Sequence, residues 1–110
     1  MKNIKTLVNK YSYHIEYNLE DKVYISRCAE FPSLTAHGKT QEQALKEIKT
    51  AVSGALKWMK KEKEAYPEPL SLHKFSGEFR LRMSPEKHRK IAIESSLNKI
   101  SMNQFIVNKL

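Results

Sequence analysis

The chain has 110 residues, a formal net charge of +8 and one cysteine. That length holds one ordinary domain, or a smaller domain with a dimerising tail, and a lone cysteine excludes an intrachain disulfide and suits a reducing compartment. No apolar run approaches the length of a signal peptide or a membrane span, so a soluble, cytoplasmic protein with no membrane partner is expected.

Tyr11, Tyr13, Ile15 and Tyr17 alternate with Ser12, His14 and Glu16, which is the period of a half-buried strand. A polar turn around Asn18 to Lys22 leads to a second run, Val23 to Cys28. Cys28 reads as a small buried apolar residue more readily than as a nucleophile. Phe31-Pro32 breaks the chain, and Leu34 to His37 makes a third strand before Gly38. Thr40-Gln41-Glu42-Gln43 has capping-box spacing and opens the longest helix. Leu45, Ile48, Val52, Ala55, Leu56 and Met59 hold helical spacing, flanked by Ala44 and Ala51, so this helix packs on one face of the sheet. Lys57, Lys60, Lys61 and Lys63 gather at its end, where cations suit the macrodipole, and read as a solvated terminus.

Tyr66-Pro67-Glu68-Pro69 stops that helix and favours an extended connection to about Phe75. The expected division is therefore a first domain over 1–66, a linker over 67–75 and a second domain over 76–110. The two parts carry equal net charge. Residues 1–75 have 13 basic and 9 acidic side chains and residues 76–110 have 7 and 3, so each carries +4. Charge is denser in the shorter part, which suits nucleic acid and other anionic partners alike.

Phe79-Arg80-Leu81-Arg82-Met83 places apolar side chains on one face of a strand and arginines on the other. Ser84-Pro85 starts a helix running to about Asn98, with His88, Ile91, Ala92 and Ser95 inward and Asn98-Lys99 as its stop. Ser101, with Gln104 at the third position, opens a second helix whose apolar side is Phe105, Ile106 and Leu110. About 35 residues without a disulfide or metal cannot bury a core alone, which points to dimerisation through Phe79, Leu81 and Met83 in a two-stranded ribbon. The opposite ribbon face carries Glu78, Arg80 and Arg82. Such a ribbon fits the DNA major groove, where arginine meets guanine edges. Ser101, Met102 and Asn103 offer a helix N-terminus to a phosphate.

Chemistry of other kinds finds little support. Two-metal nuclease work needs converging carboxylates, and the sole aspartate, Asp21, sits in a turn. His14, His37, His73 and His88 lack spaced partners for a metal set, and the serines show no triad arrangement. No catalytic residue, metal or cofactor is expected.

Two resemblances sharpen these expectations. Gly77-Glu78-Phe79-Arg80-Leu81-Arg82-Met83-Ser84-Pro85-Glu86 with Ile100-Ser101-Met102-Asn103-Gln104-Phe105 resembles the ribbon-helix-helix DNA-binding fold. Ala29-Glu30-Phe31-Pro32-Ser33-Leu34-Thr35-Ala36-His37-Gly38-Lys39-Thr40, then Gln43-Ala44-Leu45 and the helix through Trp58, is similar to the HicB antitoxin family. Ser33, Gln43 and Asn98-Lys99 depart from the family's usual glycine, glutamate and glycine. The likeness implies an α+β chain: an N-terminal β-β-β-α, partial ribonuclease-H-like, toxin-binding domain joined to a C-terminal ribbon-helix-helix dimerisation domain. It implies a type II antitoxin that neutralises a HicA-like mRNA-cleaving toxin and represses its own operon at operator double-stranded DNA, as a homodimer or a tetramer of two dimers. A stand-alone ribbon-helix-helix regulator, and a dimeric protein-binding module that does not touch DNA, are the alternatives left open.

Overall fold

The computed structural model describes residues 3–110. The elements run α1 (Ile4–Val8), β1 (Tyr13–Asn18), β2 (Val23–Cys28), β3 (Phe31–Gly38), α2 (Gln41–Lys61), α3 (Pro85–Leu97) and α4 (Met102–Val107). This is an α+β chain, and it divides into two units, Met1–Lys74 and Phe75–Leu110.

In the first unit the three strands form an antiparallel sheet in chain order, with Tyr13 opposite Cys28 and Ser26 opposite Ala36. The pleat turns Ser26 and Cys28 under α2, where both are fully buried, and leaves His14, Glu16, Arg27 and His37 exposed on the other face. α2 contributes Ala44, Ile48, Val52 and Leu56 to the core, one side chain per turn, as its periodicity predicts. Its first turn lies very close to the sheet. The Ser26 hydroxyl donates to the Ala44 carbonyl at 2.8 Å, and a Cβ on Gly38 would stand 2.5 Å from the Ala44 nitrogen. Gly38 is thus required by contact with backbone that cannot give way.

Three local expectations change in this unit. The first strand begins at Tyr13, because Tyr11 turns inward, packs edge-on against Phe31 at 5.3 Å and donates its hydroxyl to the Pro67 carbonyl. Burial pushes that phenol up to about 12. Phe31 and Pro32 lie inside β3 and do not break it. A register shift takes β2 from Arg27 opposite Thr35 to Cys28 opposite Phe31, and β3 is an edge strand, where the missing proline N–H costs no ladder bond on its outer side. At the start of α2, Thr40 accepts from the Gln43 N–H, but the Gln43 side chain accepts from Lys39 and not from Thr40.

Residues 67–74, read from the sequence as part of a linker, belong to the first unit. Pro69 is fully buried, and the Ser71 hydroxyl donates to the Lys10 carbonyl. Glu30 is the clamp. One carboxylate oxygen accepts from the Ser12 N–H at 2.9 Å and the other from the Leu70 N–H at 2.8 Å. Burial opposes the charge, yet the N–H groups of Ser12 and Leu70 more than offset it and hold the carboxyl below its ordinary range. Burial also raises the nearby Cys28 thiol.

The second unit is two helices behind an extended lead. Ser84 caps α3 by accepting from the Lys87 N–H, and Ser101 caps α4 by accepting from Gln104. The Gln104 side chain donates to Asn108 and does not close the box on Ser101. α3 ends in a Schellman motif, with Ile100 N–H bonded to the Ser95 carbonyl and Lys99 N–H to that of Ser96. The left-handed residue is Lys99, at φ 58°, while Asn98 keeps φ −88°. The stop thus falls at Asn98-Lys99, with Lys99 in the left-handed position. Ile91 and Ala92 are half-buried and Ser95 is buried, but His88 is exposed. α4 spans 6 residues against 13 in α3 and is too short to cover the first turns of its neighbour.

Candidate nucleic-acid interface

Gly77 opens the segment ahead of α3 with φ 84°, a conformation that costs glycine nothing. The Ser76 hydroxyl bridges the N–H and the carbonyl of Glu78 at 3.1 and 3.2 Å. Beyond this small turn Glu78, Arg80 and Arg82 are all exposed. Phe79 is 80% exposed and Leu81 52%, with Met83 half-buried. The strand expected over 79–83 is not formed within the chain, since among the described residues the only sheet is the three-stranded one of the first unit. A lone chain supplies one such strand and no neighbour for its N–H and C=O groups.

Seen alone, the second unit lacks a core. Ser95 is its only buried residue among those described, and its hydroxyl turns back to the Ala92 carbonyl. Phe79, Leu81, Ile93, Leu97, Met102, Val107 and Leu110 are all exposed. Ile93 and Leu97 sit on the side of α3 away from Ile91 and Ser95, a second apolar pair that the inward-face reading left out. Their i, i+4 spacing was the available signal.

Ser101, Met102 and Asn103 lie together at the exposed start of α4, where the first-turn N–H groups of Met102 and Asn103 have no acceptor within the helix. Among the described residues Arg80 and Arg82 carry no ion pair. The ion pairs among the described residues are His14–Glu16 and His73–Glu68, both in the first unit. No group of three or more His, Cys, Asp or Glu side chains among the described residues could hold a metal ion. No helix among them is long and apolar enough to cross a membrane.

Sequence reasoning quoted Glu30 as part of a motif without giving it a role. Its partners Ser12 and Leu70 lie 18 and 40 residues away, and no local pattern reports such contacts.

No curated protein and no solved structure matches the chain. A family model does, over residues 60–110, which takes in the end of α2, the segment held by Glu30 and the whole second unit. The stretch Ala29 to Thr40 lies outside that span. Over that stretch, just under half of its length, the chain is similar to the HicB family.

Proposed function

We propose that the chain is the antitoxin of a type II pair. Its first unit binds and neutralises a HicA-like mRNA-cleaving toxin, and its second unit, as a dimer, binds operator DNA and represses the operon. One observation carries the DNA half of this reading. Within the stretch that matches the HicB family, apolar and arginine side chains alternate over 79–83 ahead of two serine-capped helices, in a unit that leaves its apolar side chains uncovered.

Two copies of 79–83 paired antiparallel give each strand its missing partner and lay the Phe79, Leu81 and Met83 face on four helices. The other face then holds Arg80 and Arg82 from both chains, with Glu78 at the edge, at a width the major groove accepts. The α4 start adds phosphate contacts from Ser101, Met102 and Asn103, which fix register without reading sequence.

The test is a titration of the full chain against a duplex from its own promoter and against a scrambled duplex. Arg80→Ala with Arg82→Ala removes about 1 to 3 kcal/mol per lost base contact and narrows the gap between the duplexes. Unchanged preference in that variant contradicts ribbon readout. For the toxin half, the chain is added to an mRNA-cleavage reaction run by the co-encoded ribonuclease. Cleavage stops when the two proteins are equimolar, and cleavage that persists at excess chain refutes neutralisation.

A further inference from the structure

Two of the chain's glycines are explained within it, Gly38 by its contact with Ala44 and Gly77 by its φ of 84°. Gly54 is not. It stands inside α2, a helix of 21 residues, where glycine is disfavoured against every residue but proline, and its φ is not positive. A Cβ there would meet nothing within 4 Å. Room for a side chain is present and unused, and glycine without such a cause inside the chain suits a place where a backbone from outside comes close.

The surroundings of Gly54 are complementary to themselves. At 100° per residue Glu47 and Lys61 lie within about 20° of it, two turns before and two turns after, so the three form one line about 21 Å long. To one side of the line stand Trp58, one turn on and 56% exposed, and Ala51, one turn back. Glu47 and Lys61 are exposed, and neither is in an ion pair among the described residues. No opposite charge stands one turn away within the helix, since Glu47 has Gln43, Ala44, Thr50 and Ala51 there and Lys61 has Lys57 and Trp58.

We propose that this side of α2 docks on the same side of α2 in a second copy of the chain, antiparallel, with Gly54 at the crossing. A two-fold axis there brings Glu47 of each copy opposite Lys61 of the other and Trp58 of each over Ala51 of the other, so every contact occurs twice. Charge selects this occupant and its direction. A parallel pair would set Glu47 against Glu47 and Lys61 against Lys61, at the cost of like charges, and a nucleic acid would meet Glu47 with its phosphates. Trp58 supplies the kind of aromatic anchor on which protein contacts rest. One helix face with exposed ion pairs makes a small, weak contact, so a dilute denaturation melt records the first unit alone. Where the ribbon of the proposed function also forms, each chain holds two different contacts with copies of itself and pairs are linked to pairs. The α2 contact stands without that reading.

The test is sedimentation of the full chain carrying Phe79→Ala, which weakens the ribbon, over a concentration series reaching about 1 mM. A monomer–dimer equilibrium is expected. Adding Gly54→Leu fills open space with a good helix former, so the melt of the dilute protein holds or rises while the dissociation constant climbs by about tenfold or more. Glu47→Lys and Lys61→Glu each weaken the pair, and the two together restore it. Association that is absent up to that concentration, or unmoved by Gly54→Leu, overturns the proposal, including the case in which Trp58 instead serves a different protein. Charge reversals that do not rescue one another overturn the antiparallel arrangement. If Phe79→Ala leaves association as strong as in the parent chain, the ribbon reading fails, and sensitivity to Gly54→Leu still supports the α2 contact.

Discussion

The first unit closes around its own core, whereas the second presents most of its apolar surface to solvent. Ile48, Val52, Leu56 and Cys28 reach zero exposure within the first unit. In the second only Ser95 is buried among the described residues. Caps and turns are equally well made in both, so local structure does not distinguish them. What differs is the long-range partner, which β1 to β3 find in one another and 79–83 does not find within the chain.

The sharpest way to break that comparison is a pair of truncations. Phe79→Ala removes a side chain that is 80% exposed in the single chain, so a monomeric tail predicts almost no effect. With the ribbon formed, the loss is about 3 to 5 kcal/mol of dimer stability, read by analytical ultracentrifugation as a raised dissociation constant. Ile48→Ala costs about 2 to 5 kcal/mol through transfer and cavity terms, and its denaturation midpoint does not shift with protein concentration.

Glu30 offers a smaller and pH-resolved effect confined to the first unit. Glu30→Gln leaves one of the N–H groups of Ser12 and Leu70 facing an amide NH2, at about 1 to 3 kcal/mol. The folded carboxyl titrates below its unfolded value, so its contribution is complete above about pH 4.3 and is lost as pH falls through the folded pKa. Denaturation midpoints of the parent chain therefore fall toward those of the variant in acid. A constant gap down to low pH contradicts the clamp.

The smallest effect belongs to the turn after α3. Lys99 holds φ 58°, a conformation that costs an L-residue roughly 1 to 2 kcal/mol. Lys99→Gly relieves it, and thermal melts of the full chain gain about 1 kcal/mol.

Elements whose signals are local were legible in the sequence. Val23–Cys28 forms the strand its run predicts, Thr40, Ser84 and Ser101 cap the helices they were expected to cap, and the α2 stripe is the one buried. Signals that were too short or too distant were not. α1 has five residues and only Leu7 and Val8 buried, too few to register a period. The proline pair after α2 suggested a free connection, because nothing near it in sequence announces Glu30 or the socket that buries Pro69. At the proposed DNA-reading site, the alternation of Arg80 and Arg82 with apolar residues was legible, but 79–83 finds no strand partner within the chain.

Amide hydrogen exchange of residues 79–83 in the full-length protein, followed over a dilution series, tests the dependence of the second unit on its twin most directly. Slow exchange at high concentration that accelerates on dilution, in step with dissociation, is the predicted result. Exchange at free-peptide rates at every concentration, in a protein that still binds its operator, would contradict it.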